Sequence, residues 1–523
     1  MRLFDYASGF GRLAAAAVIA VGAAVASPAF AGGKFVFANS SAYDTLDPHA
    51  VFDVGRVASR INLYDGLMRW QDNPPKLQPW LAEKVEISDD GLTYTFTLRD
   101  AKFHDGSPVE ASDVVYSMER ILAMKKGAFS LYTGSIEPGS TKAPDAKTVV
   151  FTLSKPSAIF LATVPEILVV NEELVRANEK DGDWGSAWLS KNGAGSGSFE
   201  LTRYDPAIGF QAKRFEDHFA GWDMVENPLD SIEFRTVVEI NSRVLGLING
   251  DFHGTDGYLP QDQVKRLAAS DNVYVDEQES MRIFYSIIHH GRFPMNDINF
   301  RKALSYSFDY DGFINNILSG SVARDPMPLP NNLWGAPADL KGYTYDLEKA
   351  KEYLAKVKGE IPVITIGALA GYGQTEQAAA LLQNALNKIG VKTKIVAEPW
   401  PVASGKMRDE KQMYDLLFLW KSTYYADPNN WLGELYACEQ IGARNNSWYC
   451  NEEVDKLLSE ARVSTDQDLR RANYEKANRL LVEDAAGIFI YNTKWFGPFN
   501  KKVKGVRFSP IGNGQEMRWI SME

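Results

Sequence analysis

The residues best suited to chemistry in this chain lie where apolar, strand-length runs give way to aromatic and short polar side chains. Leu416 to Trp420 is an unbroken apolar run, followed by Thr423, Tyr424, Tyr425 and Asp427, with Asp427-Pro428-Asn429 forcing a turn. A run of that kind reads as a strand covered on both faces of a parallel sheet, and ligands of open α/β sheets sit just past the carboxyl ends of such strands. The strand-like segment Lys34 to Asn39 ends in the same way, in a loop that holds Tyr43 and Asp44. Aromatic rings with a few hydroxyls and carboxylates suit the capture of a small solute. On this reading Tyr425→Ala weakens binding and leaves melting nearly unchanged.

Groups for catalysis are sparse. The chain has six His and no His-x-x-x-His pair of the zinc type. His289-His290 are adjacent on a strand-like segment, so their side chains point to opposite faces and read as a polar segment rather than as ligands of one ion. Gly193-Ala-Gly-Ser-Gly-Ser-Phe lacks the glycine spacing of a dinucleotide loop. Ala194 stands where a nucleophile elbow needs its first Gly. No catalytic residue, metal or cofactor is expected. A carboxylate-dependent, glycosidase-like secreted hydrolase stays as the alternative, because paired carboxylates cannot be recognised from spacing alone.

The elements that must position these residues are clearest in the second half. Ile361 to Leu369 reads as a strand, Gly371-Tyr372-Gly373 as a loop, and 375–389 as a helix with Ala378, Leu381, Leu382, Ala385, Leu386 and Ile389 on one face and Gly390 as its stop. Val391, Thr393, Ile395 and Ala397 alternate as a strand, a short helix runs to Lys411, and the Leu416 strand closes a β-α-β-α-β series. Such a series has right-handed connections and parallel strands, so its carboxyl ends share one edge. That edge would carry Tyr372, Trp400, Thr423, Tyr424, Tyr425 and Asp427. Earlier in the chain, Leu92, Tyr94, Phe96 and Leu98 alternate with Thr after an Asp90-Gly91 hairpin signal, and Ser112 is placed to cap a helix through Met118 and Leu122. Val57 to Leu67 and Ile240 to Gly250 have helical spacing, Val454 to Val482 is amphipathic helix material, and Gly487 to Tyr491 is a buried strand.

At 523 residues the chain is too long for one core, so two or more lobes are expected. A composition of 45% hydrophobic and 24% charged residues excludes disorder as the main state. The net charge of -11 argues against nucleic acid or an anionic membrane as partner. Residues 1–31 read as a secretory signal: Arg2 and Arg12 precede the apolar stretch Leu13 to Ala26, and Ala29-Phe30-Ala31 offers cleavage after Ala31. Cys438 and Cys450, the only cysteines, would pair as a disulfide in an oxidising compartment; a metal site is the rival, although no His lies between them.

The run Leu-Ala-Glu…Ser-Asp-Asp-Gly-Leu-Thr-Tyr-Thr-Phe-Thr-Leu-Arg…Lys-Phe-His-Asp-Gly-Ser-Pro…Ala-Ser-Asp-Val-Val-Tyr-Ser-Met-Glu-Arg, from Leu81 to Arg120, closely resembles the extracytoplasmic solute-binding proteins of family 5. These are the oligopeptide-, dipeptide- and nickel-binding type of ABC importers. The resemblance extends over the mature chain and includes the Cys pair. It implies an α/β, two-lobed periplasmic binding protein fold of the cluster C type, with a subdomain inserted in lobe I. Lobe I would comprise 32–76, 193–287 and 489–523, the inserted subdomain 77–192, and lobe II 288–488. The first crossing would fall at Phe284 to Ile288, and Tyr258 would face the cleft. The resemblance further implies a monomer in the periplasm that takes a peptide-like, opine-like or oligosaccharide ligand to a membrane permease, or serves a receptor as a sensory partner. Peptide-binding members hold the ligand's amino group with an acid three positions after a Trp at this strand end; here Trp420 is followed by Thr423. The Arg that dipeptide binders place at the end of the neighbouring strand is missing from Gly367-Ala-Leu-Ala-Gly371. Asp427 or Asp44 would then serve an amino group.

Overall fold

A computed structural model describes residues 32–511 and 515–523. The expected signal segment with its Ala31 cleavage point lies outside them. Among the described residues no helix is long and apolar enough to cross a membrane.

One eleven-stranded mixed sheet runs through both halves of the molecule, and two long antiparallel strands, Val273–Ile288 and Gly487–Asn500, join them. On one side of this pair lie Lys34–Asn39, Ser231–Thr236, Gly209–Arg214 and Phe199–Asp205, with the short Gly254–Thr255 against the pair. On the other side Leu416–Lys421, Ile364–Leu369 and Thr393–Glu398 follow in that order. Ile364–Leu369 is parallel to both of its neighbours, as the β-α-β-α-β reading requires. Its helix, Gly373–Lys388, ends before Gly390, which has a φ of 84° that only Gly adopts freely.

The apolar runs are continuous because both faces of each half-sheet are covered. In the Leu416 strand, Leu417 and Leu419 pack into one core while Leu416 and Phe418 pack into the core on the opposite face. Phe35 and Phe37 alternate in the same way with Val36 and Ala38. This two-sided burial sets the near-continuous hydrophobic pattern.

Residues 82–153 hold a separate four-stranded antiparallel sheet with its own core, which includes Phe96, Met118, Ile121 and Phe151. The helix Ala111–Met124 begins two residues earlier than Ser112 as N-cap would set it. Glu110 is its N-cap, in a reciprocal capping box with Asp113, whose carboxylate also accepts from the Glu172 backbone N–H. Ser112 therefore lies inside the first turn, and the acid at the third helical position fixes the start. The Val454–Val482 stretch forms two helices, Glu452–Val463 and Gln467–Glu483, each N-capped by an Asn or Asp side chain. Cys438 and Cys450 are disulfide-bonded, with Cα atoms 4.9 Å apart.

The joining strands carry one further feature. Their pairing is regular from Val273 to Glu279, breaks, and resumes at Ile283 opposite Asn492. The crossing strand is thus longer than the expected Phe284 to Ile288, and its irregular point is Ser280-Met281-Arg282. The Ser280 hydroxyl donates to the Thr493 carbonyl, and the Thr493 hydroxyl donates to the Arg282 carbonyl, so side chains replace the missing ladder bonds.

Candidate ligand-binding site

A cavity of about 370 Å³ lies at this register break, between the two half-sheets. Four residues singled out from sequence line it: Tyr258, Tyr372, Trp420 and Thr423. Tyr372 follows the strand Ile364–Leu369, Trp420 and Thr423 end the strand Leu416–Lys421, and Tyr258 approaches from the opposite half, after the strand Gly254–Thr255. The Tyr258 and Tyr372 rings meet edge to face at 5.9 Å across the cavity, and Tyr372 lies 6.1 Å from Trp420. Burial pushes the Tyr372 phenol above its ordinary pKa, with Tyr258 adding to the shift, so it remains a hydrogen-bond donor at neutral pH. The Thr423 hydroxyl donates to the Met281 carbonyl at 3.0 Å, which ties this loop to the irregular strand segment.

Six other sequence candidates fall elsewhere. Trp400 begins a helix after the outermost strand, Thr393–Glu398, and packs on the core beneath the sheet. It shares the expected sheet edge but stands too far along it. Tyr43 is fully buried, edge-on to Phe210 at 5.0 Å. Asp44 points outward with its side chain 65% exposed and pairs with Arg56 at 2.7 Å. Tyr424 stacks on Phe52 at 4.2 Å, with the Arg444 guanidinium over both rings, and so closes the two halves against each other beside the cavity.

Tyr425 is fully buried, and its hydroxyl accepts from the Asn429 amide at 2.9 Å. Tyr425→Ala would therefore open a hole in the core and lower stability, contrary to the unchanged melting expected from sequence. Asp427 is buried and paired with Arg470 at 2.7 Å, and it caps the short helix Pro428–Asn430. With one partner already bound, it is not available to a ligand's amino group.

The charged group that sequence reasoning missed is Arg282. It lies on the irregular segment itself, and its guanidinium is held between the faces of Tyr258, at 4.6 Å, and Trp420, at 5.0 Å. Its Nε is buried without a hydrogen-bond partner, and no carboxylate pairs with it among the described residues. The only sequence signal was its place directly before an apolar crossing strand, where a lone cation has no packing role. Arg282 as a whole is half-buried, and a guanidinium with a buried Nε and no carboxylate partner among the described residues could receive an anion from the cavity.

No histidine is among the described residues that line the cavity. His289 and His290 each use Nε2 on a backbone carbonyl, of Glu410 and Ala486, and their rings pack on Trp448 and Tyr449. Burial, and then the nearby Arg301, holds the His290 imidazole down to a pKa of about 3. Its ordinary value is about 6.5, so between these limits the unfolded chain binds a proton that the folded chain does not, and stability falls as pH falls. His290→Gln removes this contribution. The stability lost through the substitution, measured by urea unfolding, is expected to be about 2 kcal/mol smaller at pH 5.0 than at pH 7.5. Equal losses at both pH values would show that the imidazole protonates in the native state.

The family model of the bacterial extracellular solute-binding proteins, family 5 Middle, matches residues 76–443. The probable D,D-dipeptide-binding periplasmic protein DdpA of Escherichia coli (strain K12) is 32% identical over 508 residues, 95% of each chain. The dipeptide-binding protein of the same strain is 26% identical, covering 87% of this chain and 88% of its own. Among solved structures, the ABC transporter-associated periplasmic binding protein DppA from Helicobacter pylori, in complex with peptide STSA, aligns with a TM-score of 0.85. It is 25% identical and covers 94% of this chain and 98% of its own. The two-lobed α/β architecture, the disulfide-bonded cysteines and these matches agree: the chain belongs to the bacterial extracellular solute-binding proteins of family 5, the substrate-binding components of ABC importers.

Proposed function

We propose that this protein captures a short peptide or peptide-like carboxylate in the cavity at the register break and carries it through the periplasm to an ABC permease. The observation that carries this reading is Arg282, an unpaired guanidinium in an aromatic-lined cavity between two half-sheets. Tyr258, Tyr372, Trp420 and Thr423 would contact the solute beside it. The lobes would divide at Ser280–Arg282 and at Asn492–Lys494, with residues 77–192 inserted in lobe I and residues 1–31 removed after Ala31. Two related proteins support a peptide-like solute: the D,D-dipeptide-binding description of the E. coli relative and the peptide STSA held by the H. pylori structure. The volume, near the low end of the usual 300–1,000 Å³ range for small-molecule pockets, favours a ligand of dipeptide size. Opines and oligosaccharides remain arms of the test.

The test is thermal melting of the mature protein with dipeptides, N-acylated dipeptides, opines and neutral oligosaccharides. A ligand that binds only the native state stabilises it by about 2.7 kcal/mol at a hundredfold excess over Kd. Carboxylates of either kind are expected to raise the melting temperature, and oligosaccharides are not. A shift with oligosaccharides alone would remove the carboxylate reading.

A further inference from the structure

We infer that the preferred solute carries a free carboxylate but no ammonium group: an N-acylated or lactam-capped amino acid or dipeptide. This rests on the carboxylate reading above and narrows it.

The inference comes from the charges that face the cavity. Arg282 is the cation without a partner. Lys494 is paired with Glu277, and Lys265 is exposed. The buried carboxylate is Asp256, and it is already occupied. One oxygen accepts from the Arg243 guanidinium at 2.9 Å and from the Tyr258 N–H, and the other accepts from the Ser40 N–H. Asp262, in the first turn of the helix Gln261–Ala268, is exposed. Among the described residues no buried acid is thus left to receive an ammonium. The Tyr258 and Trp420 rings already carry Arg282. An ammonium in this cavity would be desolvated beside a guanidinium and unpaired, which is costly for a buried charge. An amide in its place needs only neutral partners, and these are present. Gln374 accepts the Tyr491 hydroxyl through Oε1 at 2.7 Å, which leaves its amide N–H groups for a ligand carbonyl, and Thr493 and Ser321 add hydroxyls.

The experiment is calorimetric titration of the mature protein with a set of dipeptides, each as the free acid, the N-acetyl acid and the N-acetyl amide. N-acetyl acids are expected to bind at least about tenfold tighter than both other forms. Titration at pH 7.0 and 9.5 supplies an independent sign. The α-amino group of a free dipeptide loses its proton near pH 8, so affinity for the free acid is expected to rise with pH where no acid awaits the ammonium. Free acids that bind tighter than N-acetyl acids, and weaken at pH 9.5, would overturn the inference and leave the carboxylate reading standing. Amides that bind as well as acids, or no binding by any form, would overturn both.

Discussion

Arg282→Gln is expected to weaken binding of a carboxylate ligand by about 2–4 kcal/mol, on the order of 30- to 1,000-fold, while the unliganded protein unfolds within about 1 kcal/mol of the parent. The two effects separate because of what surrounds the side chain. Among the described residues its Nε has no hydrogen-bond partner and no carboxylate pairs with it, so the fold loses its two cation–π contacts. A bound carboxylate, by contrast, would be left in a desolvated cavity without its counter-charge. Arg282→Lys retains the charge without the planar fork and is expected to fall between. Titration calorimetry beside urea unfolding checks both. A variant that binds as the parent does would place the carboxylate elsewhere, and one that fails to fold would make Arg282 structural.

Arg120→Met is expected to cost about 3–5 kcal/mol of stability. Arg120 and Asp47 are both fully buried and joined by two parallel hydrogen bonds of 2.7 and 2.6 Å. Burial alone would raise the Asp47 carboxyl, but the Arg120 hydrogen bonds and charge override it and hold the pKa below the ordinary value. Arg120 also donates to the Trp184 carbonyl and bonds the His49 ring, so its removal strands several partners. The pair fastens the first loop of the chain to the helix Ala111–Met124. Asp47→Ala with Arg120→Met should lose less than the sum of the single changes, because no charge remains unpaired. Additive losses in urea unfolding would show that the pair acts only through packing.

Most of the fold is legible in the chain because its signals are local. The apolar run at Leu416, the helix stopped by Gly390 and the alternation from Leu92 to Leu98 each fix an element through neighbouring residues. The site is only half legible. Strand-end reasoning finds Tyr372, Trp420 and Thr423, because parallel strands do bring their carboxyl ends to one edge. It also proposes Tyr425 and Asp427, which turn into the core to Asn429 and Arg470, and Trp400, because position along that edge depends on strand order. Thr393–Glu398 is outermost, and that is not written in any local pattern. Asp427 could not be recognised as engaged, since Arg470 lies 43 residues away. Arg282 went unnoticed for the same kind of reason: its neighbours Tyr258 and Trp420 come from distant segments, and its isolation exists only once they meet.

The register break has a mechanical meaning. When two rigid bodies turn about a pivot, each point moves in proportion to its distance from it. Phe52 and Tyr424 meet across the halves, whereas Arg282 sits on the break itself. Rotation of the lobes about this break would swing the stacked aromatics apart and leave the guanidinium nearly in place. A solute's charge would thus meet a fixed point while the walls around it travel, and the grip on the ion would be set apart from the motion that encloses it.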